Sequence, residues 1–231
     1  MIKVSVIIPA YNEAATLLTI LRQVNDQSVD GIEFEVIVVD DGSGDDTPVI
    51  LSDHPKLYSQ TDRLPTNQGK GAAVRRALEL ATGDFILFQD ADLEYDPADY
   101  AKLLAPILRF DGDVVIGSRL VASPITRVSY FWHKFGNRLL TFIFNIFNNT
   151  TFTDIYSCYL VYRRNLVLPA ALRTKGWEQH AEILSTAVRG ADRIFEVPVN
   201  YYGRTYDEGK KIRAHHAWSV IWTIIRCRLF G

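Results

Sequence analysis

Four acidic residues follow a short apolar run in the first half of the chain, and their spacing suggests metal chemistry. The run Phe85–Phe88 leads into Asp90, Asp92, Glu94 and Asp96, each separated from the next by one residue. Mg²⁺ and Mn²⁺ prefer carboxylate oxygens, and Mg²⁺ commonly takes only one or two of them from the protein. We therefore predict a divalent cation at Asp90 and Asp92, with Glu94 as a third ligand and Asp96 as a helix cap. The alternative is a solvated turn.

Two further polar segments contain residue types that suit a nucleotide and its phosphates. The segment VVDDGSGDDT offers Asp40 and Asp41 as acceptors for a base N–H or for ribose hydroxyls. The alternative for this segment is a turn stabilised by its own side chains. The segment NQGKGAAV places Lys70 between glycines before a predicted helix, where an anion is favoured, although the spacing is not that of a Walker A loop. We predict that Lys70 contacts a phosphate.

The elements that position these segments are predicted from hydrophobic periodicity. Four runs rich in β-branched residues indicate buried strands, and they alternate with helical patterns: VSVIIP, FEVIVVD, DFILFQD and DVVIGS. This alternation predicts right-handed βαβ units and a mainly parallel sheet in an α/β fold. Ligands of such sheets bind beyond the carboxyl ends of the strands, where PAYNE, DDGSGDDT and DADLE all fall. We expect these three segments to form one site.

The pattern after residue 118 is less regular. SCYLVYRR and RIFEVPVNYY predict strands, and AEILSTAVRG predicts a helix that ends at Gly190. Earlier in the chain, Asp96 and Pro97 predict the start of a helix that Pro106 would end or kink. The sequence contains no internal repeat and no linker, so we predict a single domain over residues 1–231.

Charge is divided unevenly within this domain. Residues 1–118 contain 9 Lys/Arg against 20 Asp/Glu, a net charge of −11, whereas residues 119–231 contain 16 against 7, a net charge of +9. The asymmetry predicts two halves with different functions. Nucleic-acid binding is not expected, because the basic residues form no helix-length run and the overall charge is −2.

Two aromatic and basic stretches, 127–147 and 214–231, are candidates for a membrane interface. Neither reaches the roughly 20 apolar residues of a spanning helix, but aromatic side chains and Lys/Arg suit the headgroup level of anionic lipids. The alternative is packing in the core or in a homo-oligomer. The N-terminal apolar run stops at Pro9, too short for a signal peptide, and Cys158 and Cys227 form no metal or redox motif. We expect a cytoplasmic protein, peripheral at the cytoplasmic face of the membrane.

The motifs together resemble a known family. SVIIPAYNE, VVDDGSGDDT, NQGKGAAV and QDADLEYDP occur in the order typical of family 2 glycosyltransferases. Later segments are similar to the dolichyl- and undecaprenyl-phosphate sugar synthase branch: GSR, FWHKFGNRLLT, TDIYSCYLVYRR and YYGRTYDEGKKI. The resemblance implies a GT-A fold and an inverting enzyme that uses Mg²⁺ or Mn²⁺ and a nucleotide-diphosphate sugar. One departure is WEQHAEI, where relatives often have a phenylalanine-rich segment.

The resemblance also implies roles for individual residues. Residues 1–118 would bind the nucleotide sugar and residues 119–231 the acceptor. Asp92 is the expected metal ligand, and Asp90 is expected near both the metal and the ribose. The nucleotide sugar would contact Pro9, Tyr11, Glu13, Asp40, Asp41, Lys70 and Asp90. The diphosphate or an acceptor phosphate would be met by Arg119, Arg204 and Lys210 or Lys211.

Two acceptor chemistries remain open. A lipid phosphate is already anionic and needs no general base, only positive charge from Arg119, Arg138, Arg204 and Lys211. A hydroxyl of a glycolipid or polysaccharide must lose a proton, and the candidate bases are Asp154, His180 and Glu182. The spacing of His180 and Glu182 would place both on one face if their segment were extended.

Two other functions fit the sequence less well than sugar transfer. A sugar-phosphate nucleotidylyltransferase would need a glycine-rich loop where this chain has PAYNEAATL. A non-catalytic nucleotide-sugar-binding module would be favoured by an altered metal motif, and Asp90 and Asp92 are both present.

Overall fold

The computed structural model describes residues 1–121, 131–203 and 216–230. Its strands are β1 (Ile2–Ala10), β2 (Ile32–Asp40), β3 (Gln60–Arg63), β4 (Phe85–Phe88), β5 (Val114–Ser118), β6 (Leu160–Arg163) and β7 (Ile194–Pro198). Its helices are α1 (Leu17–Asn25), α2 (Thr47–Asp53), α3 (Lys70–Leu80), α4 (Tyr100–Phe110), α5 (Phe131–Asn148), α6 (Gln179–Gly190) and α7 (His216–Phe230).

Within the described residues these strands form one sheet in the order β3-β2-β1-β4-β6-β5-β7. The pairs β1–β2, β1–β4, β2–β3 and β5–β7 are parallel, whereas β6 runs antiparallel to both β4 and β5. The predicted α/β fold with a mainly parallel sheet is therefore confirmed. Strand β3 was not predicted, because QTDR is short and polar and lies at the edge of the sheet.

Apolar side chains cover both faces of the sheet. One face packs against α1 and α4, and the other packs against α3, α6 and parts of α5 and α7. Helix α1 has its predicted apolar positions, since Leu17, Ile20, Leu21 and Val24 are all buried. Each such side chain contributes roughly 2 kcal/mol when fully buried. The sheet is consequently a rigid platform from which the loops at its edge project.

Three local predictions concern helix ends. The Asp96 carboxylate accepts a hydrogen bond from the backbone N–H of Ala98 at 2.9 Å and caps a 3₁₀ turn, Pro97–Asp99, that leads directly into α4. Helix α4 continues through Pro106 to Phe110, so of the two predicted effects of Pro106 the helix end is wrong and the kink stays a prediction. Helix α6 does end at Gly190, as predicted from the sequence.

Helices α5 and α7 pack side by side. Each also exposes apolar side chains along one face. On α5 these are Phe131, Phe135, Leu139, Phe142 and Ile146; on α7 they are Trp218, Trp222, Leu229 and Phe230. We call these nine side chains the apolar stripe. None of the helices that the structure describes is long and apolar enough to cross a membrane.

Candidate active site

The predicted site lies at the carboxyl edge of the parallel strands. Strands β1 and β2 pair through Ala10 and Asp40 at their ends, and β1 pairs with β4 through Ile7 and Phe88. The register therefore brings PAYNE, DDGSGDDT and QDADLEYD to one edge of the sheet, as the sequence predicted.

The first two of these loops are held together by hydrogen bonds. The Asn12 backbone N–H donates to Ser43 Oγ at 2.9 Å, and the Gly44 N–H donates to Asn12 Oδ1 at 2.9 Å. The Glu13 N–H donates to Thr47 Oγ1 at 3.0 Å. Asn12 has a φ of 51°, a left-handed conformation that asparagine tolerates better than most residues. Asn12 was not predicted as part of the site, although an asparagine after a strand is a recognisable turn signal.

The nucleoside-pocket candidates surround this junction. Pro9 lies near the end of β1, and Tyr11 is exposed in the loop that follows it. The Glu13 carboxylate accepts a hydrogen bond from Thr16 Oγ1 at 3.0 Å. These three residues therefore lie at the end of β1 and in the loop that follows it, next to the loop that follows β2.

Asp40 and Asp41 are both buried, and their carboxylates accept hydrogen bonds from backbone N–H groups. Asp40 is buried, accepts from the Ser43 N–H at 3.0 Å and lies 3.2 Å from Arg63 Nε. Asp41 accepts from the N–H groups of Gln68 and Gly69, at 2.8 and 2.9 Å. Burial raises the pKa of the Asp41 carboxyl despite these bonds. Both side chains thus shape the pocket wall and join it to the loop that precedes α3.

The glycines around Lys70 allow the two halves of the chain to meet. The Gly71 N–H donates to the Lys175 carbonyl at 2.8 Å, and Gln179 Nε2 donates to the Gly71 carbonyl at 2.6 Å. A Cβ at Gly71 would lie 2.5 Å from the Lys175 carbonyl carbon. Gly69 has a φ of 98°, which favours glycine. The structure therefore explains both glycines by close backbone approach.

Lys70 lies against the acidic loop. Its Nζ is 2.5 Å from Asp90 Oδ1 and 5.4 Å from the centre of the Trp177 ring. Burial disfavours both charges, but their mutual attraction prevails and lowers the pKa of Asp90 while raising that of Lys70. Lys70 and Asp90 are consequently brought together as a charged pair. Trp177 lies beside them and belongs to WEQHAEI, the segment that differs from the family pattern.

The pKa of Asp92 is shifted in the opposite direction from that of Asp90. Burial, together with the negative charges of Asp90 and Glu94, raises the pKa of its carboxyl to about 7. Asp92 Oδ1 accepts from the Glu94 N–H at 3.1 Å, and Leu93 between them has a φ of 61°. The Glu94 carboxylate accepts from the Tyr201 hydroxyl at 2.9 Å. Burial and the neighbouring negative charges therefore oppose ionisation of the Asp92 carboxyl.

The donor set fits a cation held by few protein ligands. Among the described residues, no group of three His, Cys, Asp or Glu side chains is arranged to hold a metal. The predicted set Asp90, Asp92 and Glu94 is thus not a preformed three-ligand cage, because Lys70 pairs with Asp90 and Tyr201 bonds to Glu94. Hard carboxylate oxygens clustered at Asp90, Asp92 and Glu94 fit Mg²⁺ or Mn²⁺ bound by one or two carboxylates.

Arg119 and Asp154 form a buried pair between the loop after β5 and the segment before β6. Arg119 Nε and one terminal nitrogen donate to the two Asp154 oxygens at 2.7 and 2.9 Å, and the Arg119 N–H adds a third bond at 3.1 Å. Asn137 Nδ2 of α5 donates to the same carboxylate at 2.8 Å. Burial opposes ionisation, yet Arg119 and Asn137 lower the pKa of Asp154 overall. The Arg119 guanidinium also lies 4.9 Å from the centre of the Tyr201 ring.

His180 and Glu182 do not share a face. Both belong to helix α6, so the strand-like spacing considered above does not apply. The Glu182 carboxylate accepts from the backbone and hydroxyl of Thr174 at 2.9 and 2.5 Å, and from Arg226 of α7 at 2.6 Å. His180 packs on the Tyr156 ring, and burial together with Lys70 lowers its pKa to about 4. Its Nε2 is buried without a hydrogen-bond partner.

The remaining basic candidates are placed unevenly. Arg138 is exposed on α5, and Lys134 is exposed one turn before it. Arg204, Lys210 and Lys211 lie outside the described residues, so their predicted phosphate contacts stay predictions.

Comparison with known proteins decides the family. The family model described as "Glycosyl transferase family 2" matches residues 5–168. The chain belongs to glycosyltransferase family 2. The residues matched include the three loops at the edge of the sheet, together with Lys70, Arg119 and Asp154.

Curated relatives of this family 2 glycosyltransferase are larger than the chain. Glycosyltransferase AglD of Haloferax volcanii is 30% identical over 213 residues, which are 87% of this chain and 33% of AglD. An undecaprenyl-phosphate 4-deoxy-4-formamido-L-arabinose transferase of Enterobacter sp. (strain 638) is 29% identical over 212 residues, 90% of this chain and 62% of that protein. The chain thus spans 33% to 62% of the length of these two relatives.

Solved structures confirm the expected GT-A fold. Glucosyl-3-phosphoglycerate synthase from Mycobacterium tuberculosis in complex with phosphoglyceric acid superposes with a TM-score of 0.73 at 24% identity, covering 98% of this chain and 80% of that chain. The same enzyme with Mn²⁺, UDP and phosphoglyceric acid gives a TM-score of 0.72 at 22% identity, covering 100% of this chain and 80% of that chain.

Proposed function

We propose that the chain transfers a sugar from a nucleotide-diphosphate sugar, with inversion, to a polyprenyl phosphate such as dolichyl or undecaprenyl phosphate. The observation that carries the proposal is the meeting of Lys70, Asp90 and Asp92 at the carboxyl edge of the sheet. This edge combines a cation for phosphate with carboxylates for a divalent metal. A fold relative was solved with both Mn²⁺ and UDP, which supports the same combination here.

The donor half would bind the nucleotide sugar along the joined loops. Pro9, Tyr11 and Glu13 form one wall, and Asp40 and Asp41 hold the adjacent one. Asp92, with Asp90 beside it, would hold Mg²⁺ or Mn²⁺, and Lys70 would contact the diphosphate. When bound, the cation would act as a Lewis acid that stabilises the charge developing on the leaving nucleoside diphosphate.

The surroundings of the three candidate bases favour an acceptor that needs no general base. Asp154 is paired with Arg119, and Glu182 is paired with Arg226 and bonded to Thr174. The pKa of His180, at about 4, makes its neutral imidazole a weak base near pH 7. An acceptor that is already an anion removes the need for any of them, and Arg119 would help to gather it. The alternative acceptor, a hydroxyl of a glycolipid or polysaccharide, would need one of these three side chains to be released from its present contacts.

The apolar stripe supports a peripheral position on a membrane. Trp218 is 77% exposed and Trp222 61% exposed, a poor arrangement for side chains that face only water. Helices α5 and α7 contain lysine and arginine but no aspartate or glutamate, which suits an anionic lipid surface. We therefore propose that the stripe contacts the cytoplasmic face of a membrane, where a lipid-linked acceptor is found.

Sugar transfer is tested by incubating purified protein and Mn²⁺ with a panel of labelled nucleotide sugars and polyprenyl phosphate. We expect label from one donor in the organic phase, and none with Asp92→Ala. If label instead enters a glycolipid or polysaccharide hydroxyl, the lipid-phosphate assignment is wrong while the transferase assignment stands. If no donor is consumed with any acceptor, the transferase proposal itself is refuted.

Membrane contact is tested by sedimentation with vesicles containing anionic lipids. The double variant Phe142→Ser, Ile146→Ser should bind vesicles at least tenfold more weakly than wild type. The matched control Leu108→Ser, Phe110→Ser removes two exposed apolar residues from α4 and should bind normally. Unchanged vesicle binding by the α5 variant, or a shift from oligomer to monomer instead, would assign the stripe to a second copy of the chain.

A further inference from the structure

Gln89 lies directly beneath the loop that carries Asp92. It follows the last residue of β4, it is fully buried, and its backbone N–H donates to the Ile7 carbonyl of β1 at 3.0 Å. The side chain therefore starts from a position fixed by the sheet, next to a loop that has no regular secondary structure of its own.

The Gln89 amide ties the two ends of this loop together. Its Nε2 donates to the carbonyl of Asp90 at 3.0 Å and to the carbonyl of Tyr95 at 3.4 Å. Both partners are carbonyl oxygens and need a donor, so the NH₂ group is the end of the Gln89 amide that bonds to both. Four residues, Ala91 to Glu94, lie between the two carbonyls that meet at this one nitrogen.

The carbonyl of the same amide is fixed from the opposite side. Gln89 Oε1 accepts from the hydroxyls of Tyr100 and Tyr159, both at 2.9 Å, and both tyrosines are fully buried. Hydroxyl donors on one side and carbonyl acceptors on the other permit a single orientation of the amide. The oxygen and the nitrogen of the Gln89 side-chain amide are thus both hydrogen-bonded, and neither reaches solvent.

We propose that Gln89 is the positioning residue for the metal loop: by holding the carbonyls of Asp90 and Tyr95, it sets the direction of the Asp92 carboxylate. The inference rests on the proposed cation site at Asp92. Groups that orient metal ligands from behind change metal affinity by about 10- to 100-fold when they are removed. Gln89 acts in this way through the backbone of the loop rather than through the ligand side chain.

The test compares Mn²⁺ affinity with thermal stability, in the presence of UDP and without a sugar acceptor. Gln89→Met keeps the length of the side chain but removes all four of its hydrogen bonds, and we expect the Kd for Mn²⁺ to rise about tenfold or more. The control Tyr100→Phe, Tyr159→Phe removes only the two accepted bonds and leaves the loop contacts. It should lower the Tm yet keep the Kd within about twofold, since Nε2 remains in place.

A second variant covers the case in which Gln89→Met does not fold. Gln89→Glu retains an acceptor for both tyrosines and replaces the NH₂ group, so its Kd should rise in the same way. A Kd equal to wild type in Gln89→Met or Gln89→Glu, or an equal rise in the tyrosine control, would overturn the positioning role. If wild type itself binds no Mn²⁺ and Asp92→Ala behaves identically, the cation site is refuted and this inference with it.

Discussion

Arg119 and Asp154 are joined by two parallel side-chain hydrogen bonds of 2.7 and 2.9 Å in a region that excludes solvent from the carboxylate. The pair links the loop after β5 to the segment before β6, and Asn137 extends it to the surface helix α5. Arg119 consequently projects toward Tyr201 with its charge held in a fixed direction. An arginine arranged in this way can bind an anion without first losing side-chain entropy.

The first prediction concerns this pair. Asp154→Asn should lower the free energy of unfolding by about 3–5 kcal/mol, because a buried guanidinium loses its counter-charge. Urea denaturation measures the loss. The control Asp111→Asn weakens exposed ion pairs with Arg163 and Arg193 and should be far less destabilising. Similar losses in the two variants would show that the buried pair has no special weight.

The second prediction separates stability from activity at Asp92. Its pKa is raised from 3.8 to about 7, so ionised Asp92 destabilises the fold without metal as the pH rises through that range. Asp92→Asn should therefore be more stable than wild type at pH 8, by on the order of 2 kcal/mol, and equally stable near pH 4. The same variant should fail to transfer sugar with Mn²⁺ present. A variant less stable than wild type in EDTA at pH 8 would contradict this account.

The third prediction uses the pH dependence of His180. Its folded pKa of about 4 lies below the usual 6.5, so protonation favours the unfolded chain as the pH falls from 6.5 to 4. Asp90 and Asp154, which face it, have lowered pKa values and stay ionised over the upper part of this range. Lys70 and Arg119, which also face it, have raised pKa values and stay positively charged throughout. Between pH 7 and pH 4.5 the Tm of wild type should fall further than that of His180→Gln. Parallel losses would mean that the imidazole is not buried in its neutral form.

The fourth prediction addresses the contact between the halves. Gly71→Ala places a Cβ against the Lys175 main chain, which cannot move aside as a flexible side chain would. The expected loss is about 1–3 kcal/mol in unfolding free energy, together with weaker donor binding through the displaced Lys70. Gly44→Ala is the matched control, since a Cβ there meets nothing within 4 Å, and it should stay within about 0.5 kcal/mol of wild type. An equally mild Gly71→Ala would show that the halves can separate locally.

Periodicity was enough to predict the strands that build the site, because each is a continuous apolar run that ends in polar residues. It did not find β3, whose four polar residues pair with β2 at the edge of the sheet and bury little apolar surface. The position of Asp41 at the end of β2 was predictable. Its partners Gln68 and Gly69 were not, because they are 27 and 28 residues away in sequence.

The pairings of carboxylates within residues 119–231 were harder to predict for a physical reason. Asp154 and Glu182 both looked like candidate bases, since a carboxyl in a polar segment does not reveal which cation it will meet. Arg119 is 35 residues from Asp154, and Arg226 is 44 residues from Glu182. Such pairings depend on how β5, β6 and the outer helices assemble, so only the folded chain distinguishes a reactive carboxylate from a structural one.

The bond from the Gly71 N–H to the Lys175 carbonyl joins the acidic and basic halves through main-chain atoms alone. None of the atoms of this bond belongs to a side chain, so the bond itself does not depend on which side chains surround it. Side-chain bonds such as that from Gln179 Nε2 to the Gly71 carbonyl reinforce it. Substitutions that remove those side-chain bonds leave the main-chain bond as a point of alignment between the two halves.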